Sequence, residues 1–215
     1  MSKPAFDLSL YLVVGRGDCA GRPIAEVVEA AVAGGVTLVQ LREKQAASGE
    51  LAAVARDLIG VLRPHGVPLI MNDDLEAALV SGCDGLHVGQ EDLDAGEARR
   101  RLGPDRLLGL SISNDAEAAA VDPRIVDYLG IGPVYATPTK TDAAPATGLE
   151  GTARLRRRWP ALPACAIGGI KPTNAAEVMA TGVDGLAVVS AIAGAHDVRA
   201  AAAALRAAML RARPA

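Results

Sequence analysis

The stretch "PLIMNDDLEAAL" (68–79) joins a short apolar run to an amphipathic one. Pro68 to Met71 read as a strand buried on both faces, because no polar residue alternates with the apolar ones. Leu75, Ala78 and Leu79 then recur at helical spacing. Asn72, Asp73 and Asp74 stand at the seam, where two adjacent acids repel each other. Asp and Asn are preferred helix N-caps, so one acid has a plain structural use. A cap accounts for one acid and leaves an amide and a second acid unexplained.

The same strand-then-helix unit recurs along the whole chain. Short runs rich in Val, Ile and Leu fall at 8–14, 36–41, 68–71, 85–88, 107–111, 126–132, 163–168 and 185–190. Ala-rich amphipathic stretches follow them, such as "PIAEVVEAAVAGG" (23–35), "SGELAAVARDLIGVLR" (48–63), "AGEARRRL" (95–102) and the run at 197–210. Gly34-Gly35, Gly66, Gly82 and Gly182 close several of these helices, where glycine supplies a left-handed C-cap. Apolar strands each followed by a helix imply a parallel sheet covered by helices. Eight such units in this length match a (β/α)8 TIM barrel. A doubly wound sheet is the alternative, but the first strand-to-helix turn, "VVGRGDCAGRPI" (13–24), lacks the GxGxxG order. No linker interrupts the chain, so residues 1–215 read as one domain. The phrases "SGCDGLHV" (81–88) and "TGVDGLAV" (181–188) recur four strands apart and suggest repetition within it.

Half of the 215 residues are hydrophobic and 22% are charged, enough for a sizeable core. A net charge of -3 gives no basic footprint for nucleic acid. "RLRRRW" (154–159) reads as the solvated face of a helix. Cys19, Cys83 and Cys165, odd in number and far apart, predict a reduced protein without a disulfide framework. No apolar run reaches the ~18 residues a membrane span needs. "MSKPAFDLSL" lacks a signal peptide's apolar stretch. A cytoplasmic location is expected.

In a TIM barrel the site lies at the C-terminal ends of the strands. Polar residues collect there: Gln40, Arg42 and Lys44; Asn72, Asp73 and Asp74; Gln90, Glu91 and Asp92; Ser111; Thr137, Thr139 and Lys140; Gly168 and Gly169; Ser190. Loops after strands seven and eight commonly bind phosphate through backbone N–H groups. "IGGIKPTN" (167–174) suits this: its glycines admit an anion, and Pro172 fits a first helical position. Ser190 would cap a short helix behind it. The plainer reading is that the glycines serve close packing. Elsewhere on the rim, Arg42, Lys44 and Lys140 accompany the carboxylates Asp73 and Asp92. Mg2+ takes one or two carboxylates and completes its shell with water and phosphate oxygens, so this cluster suggests a metal-bound diphosphate. The plainer reading is helix caps and ion pairs.

No Ser-His-Asp or Cys-His arrangement appears. His65 and His196 read as solvated, His87 as structural within its strand, and Cys165 as a core residue. Two phosphate pockets without a nucleophile point to chemistry in which diphosphate itself leaves. Residues 136–149, long and poor in apolar weight, suggest a lid that orders when substrates bind.

The motifs "QLREK" (40–44), "NDD" (72–74), "GLHVGQEDL" (85–93), "GLS" (109–111), "DYLGIGPVYATPTK" (127–140), "AIGGI" (166–170) and "VVSAI" (188–192) together resemble the thiamine phosphate synthase family. The resemblance covers essentially the whole chain. It implies that a hydroxymethylpyrimidine diphosphate and a thiazole phosphate, the latter also in carboxylated form, are joined with release of pyrophosphate. It implies one Mg2+ per subunit on Asp73 and Asp92. Gln40, Leu41, Arg42, Glu43, Lys44, Asn72, Ser111 and Lys140 would hold the pyrimidine diphosphate, with Arg42, Lys44, Ser111 and Lys140 acting in catalysis. Thr137, Pro138, Thr139, Gly169, Val189 and Ser190 would hold the thiazole phosphate. Asp74 is then left as the helix cap. The partners are phosphorylated small molecules, with neither nucleic acid nor membrane, and a homo-oligomer is compatible with the sequence. One departure is Ser113, where many relatives have His. It counts against a thiazole tautomerase of the same fold, one rival reading. The other is a non-catalytic thiazole phosphate-binding regulator, which would not need Arg42, Lys44 and Lys140.

Overall fold

Strands and helices alternate in the computed structural model, which describes residues 3–137 and 144–211. The strands are β1 (Leu10–Val14), β2 (Leu38–Leu41), β3 (Leu69–Asn72), β4 (Gly85–Val88), β5 (Leu107–Ile112), β6 (Tyr128–Ile131), β7 (Ala164–Ile167) and β8 (Gly185–Val188). The α-helices are α1 (Ile24–Ala33), α2 (Ser48–Leu62), α3 (Leu75–Ser81), α4 (Ala95–Leu102), α5 (Asp115–Ala120), α6 (Gly148–Arg158), α7 (Ala175–Met179), α8 (Ser190–Ala193) and α9 (Val198–Leu210). All eight expected strands form, with ends shifted by at most two residues. They pair in parallel in sequence order, and β8 returns to β1 with Leu10 opposite Leu186, closing the expected TIM barrel.

Side chains alternate in direction along each strand. Outward ones such as Leu10, Leu12, Val39, Leu41, Leu86 and Leu129 form the large core under the helices. Inward ones form a second core of Tyr11, Val13, Leu38, Ile70, Leu107, Tyr128, Cys165 and Ala187, joined by Leu8 and Phe6 below them. Cys19, Cys83 and Cys165 are all free and buried. No helix among the described residues is long and apolar enough to cross a membrane.

The repeated Asp-Gly of 81–88 and 181–188 is a stitch at the bottom of the barrel. Leu69 N–H donates to Asp84 Oδ2 and Ala164 N–H to Asp184 Oδ2, each at 2.8 Å. The glycines that follow allow strands to close up: a Cβ on Gly85 would lie 2.4 Å from the Leu107 carbonyl oxygen, and one on Gly185 1.7 Å from that of Leu8. The repeat is structural and lies at the opposite end from the expected site.

Asp74, Asp94, Asn114 and Asp197 each accept from the N–H three residues on, so α3, α4, α5 and α9 start on side-chain caps. Gly66, Gly82 and Gly182 are left-handed as expected, but Gly34 is helical (φ −87°) and Gly35 carries the positive φ. Two further expectations need correction. Helix α7 begins at Ala175, so Pro172 is not its first residue; it lies in a turn closed by Asn174 N–H on the Lys171 carbonyl at 3.1 Å. Ser190 is the first residue of α8 rather than its cap, a position held by Val189. The centre of the expected lid, with Pro138, Thr139 and Lys140, lies outside the described residues. Its far end is tied down, with Thr147 N–H on Pro133 O at 2.8 Å and Gly148 N–H on Val134 O at 3.0 Å.

Candidate active site

The "NDD" seam at the top of β3 separates its three residues by role. Asp74 is the cap: its Oδ1 accepts from Ala77 N–H at 2.8 Å and its Oδ2 from the Ser48 hydroxyl at 2.6 Å. Asp73 precedes it in the left-handed region (φ 60°), which residues other than Gly enter at a cost. A tight turn closes around it, with Asp74 N–H on Asn72 O at 2.7 Å, while its own N–H donates to His87 O at 2.9 Å. Backbone strain of this kind gathers at functional sites. Asn72 donates through Nδ2 to Asp73 Oδ1 at 2.5 Å.

This turn brings Asp73 against Asp92, which follows β4. Asp92 is held through its Oδ2 by Gly89 N–H at 2.8 Å, where a Cβ on Gly89 would collide with that oxygen at 2.7 Å. Burial, and then Asp92 itself, push the Asp73 carboxyl up to about 7, against the opposing charges of Lys44 and Arg42. Two acids so placed carry more negative charge than their surroundings compensate, which a divalent cation would relieve. Among the described residues no group of three or more His, Cys, Asp or Glu gathers into a cage. That donor set fits Mg2+, which keeps water and phosphate in most of its shell.

The "QLREK" segment distributes its side chains to different surroundings. Gln40 points into the barrel and Leu41 out of it, fully buried, so only the backbone of Leu41 can face the mouth. Arg42 N–H donates to Val14 O at 2.9 Å. Glu43 is engaged by Arg16: its Oε1 accepts from the backbone N–H of Arg16 and, at 3.3 Å, from the Arg16 guanidinium. Of this segment, Arg42 and Lys44 bring charge to the Asp73–Asp92 pair.

Below the mouth, Gln40 and Ser111 are the two ends of one polar chain. Gln40 Nε2 donates to Tyr11 Oη at 2.6 Å, and Tyr11 Oη lies 2.8 Å from Tyr128 Oη. Tyr128 Oη lies 3.1 Å from His87 Nδ1, and His87 Nε2 lies 2.9 Å from Ser111 Oγ. Burial holds both phenols far above their ordinary range, so both stay protonated. Gly109 makes room for the rings: a Cβ there would lie 2.2 Å from Tyr128 Cζ and 2.3 Å from His87 Nδ1. Ser111 also accepts at its carbonyl from Gln90 Nε2 at 2.6 Å.

On the opposite rim, Gly168 and Gly169 both have positive φ (105° and 66°). A Cβ on Gly169 would lie 2.7 Å from Tyr135 Cβ, so this turn packs against the segment that leads to Thr137. Asn174 holds the turn, donating to Gly169 O at 3.1 Å and accepting from Lys171 N–H at 2.7 Å. Val189 and Ser190 follow β8 on the same rim. Ser113, the departure from the family pattern, joins the cap of α5: its N–H donates to Glu117 Oε2 at 2.6 Å.

The structure therefore brings Asn72, Asp73, Asp92, Arg42 and Lys44 together, links Gln40 to Ser111, and sets Gly169, Val189 and Ser190 apart, in the turns that follow β7 and β8. Sequence reasoning passed over Tyr11, Tyr128 and Asn174. Composition held a signal for the tyrosines: with one Phe, one Trp and three Tyr in the chain, two aromatic side chains with polar tips inside strands were conspicuous.

Comparison with known proteins agrees with this architecture. The family model described as thiamine monophosphate synthase matches residues 10–192. The thiamine-phosphate synthase of Azorhizobium caulinodans is 52% identical over 201 residues, 94% of each chain. That of Xanthobacter autotrophicus is 48% identical over 213 residues, covering 99% of this chain and 100% of its own. The solved thiamine phosphate pyrophosphorylase from Pyrococcus furiosus superposes with a TM-score of 0.85 at 35% identity, over 95% of this chain and 96% of its own. The chain belongs to the thiamine monophosphate synthase family of enzymes.

Proposed function

We propose, proceeding from that family membership, that the protein condenses 4-amino-2-methyl-5-hydroxymethylpyrimidine diphosphate with 4-methyl-5-(2-phosphoethyl)thiazole, or its carboxylated form, to thiamine phosphate and pyrophosphate. The observation that carries the reading is the strained Asp73 set against Asp92 beside the charges of Arg42 and Lys44. Asp73 and Asp92 would hold Mg2+, which when bound neutralises charge developing on the departing diphosphate. Arg42 and Lys44 add positive charge around the same group, a role also assigned to Lys140, and preorganised charge of this kind commonly contributes more to catalysis than any other effect. Asn72 orients Asp73, while Gln40 and Ser111 meet the pyrimidine. Gly169, Val189 and Ser190 receive the thiazole phosphate, a role also assigned to Thr137, Pro138 and Thr139. Holding the thiazole nitrogen against the pyrimidine methylene carbon turns a bimolecular encounter into a local one. The C–O bond to diphosphate breaks with its electron pair, the aminopyrimidine carries the resulting positive charge, and the nitrogen lone pair forms the C–N bond. A location in the cytoplasm suits such substrates.

The test is pyrophosphate release on mixing both substrates with Mg2+. Release should require all three components. Release without the thiazole would make the protein a hydrolase, and interconversion of thiazole tautomers alone would make it an isomerase.

A further inference from the structure

The polar chain through the barrel has a direction, and that direction follows from counting protons. An amide nitrogen only donates, so the Gln40 Nε2 contact makes Tyr11 Oη an acceptor there. The Tyr11 hydroxyl still has one proton to place, and inside the barrel its other partner is Tyr128 Oη. Tyr128 is then committed in turn, and its proton goes to His87 Nδ1. A nitrogen that accepts carries no proton, so the ring proton sits on Nε2 and is donated to Ser111 Oγ. Ser111 accepts from the ring, which leaves its own proton for the mouth. At the other end, no buried side-chain N or O among the described residues lacks a partner. Gln40 Oε1, with none among those residues, is therefore open to the mouth as an acceptor.

We propose that Tyr11, Tyr128 and His87 are positioning residues that fix the sense of both ends, Gln40 as acceptor and Ser111 as donor, so that the mouth selects a pyrimidine bearing an exocyclic amine. This rests on the proposed pyrimidine diphosphate substrate and deepens it. At neutral pH that molecule has one hydrogen-bond donor, its amine; every other polar atom on it accepts. An acceptor fixed in the mouth can address only that amine, and a fixed donor can address a ring nitrogen or a diphosphate oxygen. The 4-oxo counterpart carries an acceptor where the substrate carries the amine, so it meets Gln40 Oε1 with like polarity and leaves it unpaired. The remote hydroxyls couple the two ends. Were Gln40 to rotate its amide, Nε2 would leave Tyr11, and every proton in the chain would have to reverse.

Two substitutions of equal size separate this from mere packing. Tyr11→Phe releases Gln40 but leaves Tyr128 donating to His87. Tyr128→Phe releases Gln40, by removing the acceptor for the Tyr11 proton, and also removes the donor to His87. The readouts are the nitrogen-15 NMR shifts of the His87 ring and kcat/KM for the 4-amino substrate against its 4-oxo counterpart. The wild type and Tyr11→Phe should show the Nε2–H tautomer; Tyr128→Phe should lose it. Amino-over-oxo selectivity should fall about tenfold in both, the value of one neutral hydrogen bond. In a Ser111→Ala background the further kcat loss from Tyr128→Phe should shrink, while that from Tyr11→Phe should persist. An Nδ1–H ring in the wild type, or unchanged selectivity in both variants, overturns the proposal. The ring signal decides the direction of the chain even if the substrates fail to react, so failure of the assigned reaction is told apart from failure of the wire.

Discussion

Replacing Gly109 by Ala should be among the most damaging single-methyl changes available in this barrel. The added Cβ would stand 2.2 Å from Tyr128 Cζ, 2.3 Å from His87 Nδ1 and 2.5 Å from Tyr128 Oη. Ordinary contact begins near 3.4 Å; the methyl therefore intrudes by about an ångström on two rings at once. Neither can yield, since Tyr128 is fully buried and His87 is 8% exposed. Overpacking a close-packed core costs about 1–3 kcal/mol, and this case belongs at the upper end. The methyl also enters the hydrogen bond between Tyr128 and His87, and each buried polar group left unpaired adds about 1–3 kcal/mol. A total near 4 kcal/mol corresponds to a Tm lower by about 10 °C for a chain of this size. Gly130→Ala is the graded control, because its Cβ would meet His87 Cε1 at 3.2 Å, which a small shift relieves. It should lose only a few degrees. Thermal unfolding by circular dichroism, without ligands, is sufficient. Equal losses for the two variants, or a drop under about 2 °C for Gly109→Ala, would refute the packing argument.

Gly60 lies exposed inside α2 with nothing within 4 Å of an added Cβ, so Gly60→Ala should stabilise by about 0.5–1 kcal/mol and raise Tm by about 2–4 °C. Asp74→Ala loses the cap of α3 and should cost about 1 kcal/mol, whereas Asp74→Asn caps nearly as well; unfolding curves compare them, and neither should move the Mg2+ concentration for half-maximal rate. Asp73→Asn and Asp92→Asn should each raise that concentration sharply and collapse turnover, with the double variant little worse than either, as for residues acting as a unit. Magnesium binding should also depend on pH with a fixed sign. In the metal-free protein the raised Asp73 carboxyl is protonated below about 7, and proton and metal compete for the same oxygens. Affinity measured by calorimetry should therefore rise from pH 5.5 to about 7 and level off above it; affinity falling with rising pH would remove Asp73 from the metal.

The barrel was legible because its signal is repeated. Eight apolar runs, each followed by an amphipathic stretch, carry the fold even though a boundary such as 126–132 shortens to Tyr128–Ile131. The division of "NDD" was legible for a local reason, since a cap needs one acid immediately before its helix and Asp74 occupies that place. Helix starts near the phosphate-type turn were not legible. Pro172 suits a first turn, yet Asn174 bonds back to Gly169 and holds the chain in a turn until Ala175, a contact that sequence spacing does not encode. The link from Gln40 to Ser111 was hidden for the same reason. Its members come from β1, β2, β4, β5 and β6, and only barrel closure and register bring them together, with His87 opposite Gly109 and Gly109 opposite Tyr128.

A polar chain is an odd filling for the interior of such a barrel, where branched apolar side chains normally dominate. Stability does not require it. A satisfied buried hydrogen bond contributes about 1 kcal/mol net, and replacing both partners by apolar groups of the same shape can be nearly neutral. The chain here is complete, so it avoids the penalty of an unpaired group without adding much beyond that. Its geometry, however, demands two concessions from the fold: a glycine at 109 within a strand, where glycine is unfavourable, and phenols held where they cannot ionise. A core selected for stability alone would put a branched residue at 109 and apolar side chains around it. What the polar version supplies is correlation between its ends, because with the Gln40 nitrogen on Tyr11 every proton in the row points one way, and the sense at one end sets the sense at the other. Both of its ends open where the substrates are proposed to meet. The interior of the barrel is in that respect part of the site, and Tyr11 and Tyr128 act on chemistry they never touch.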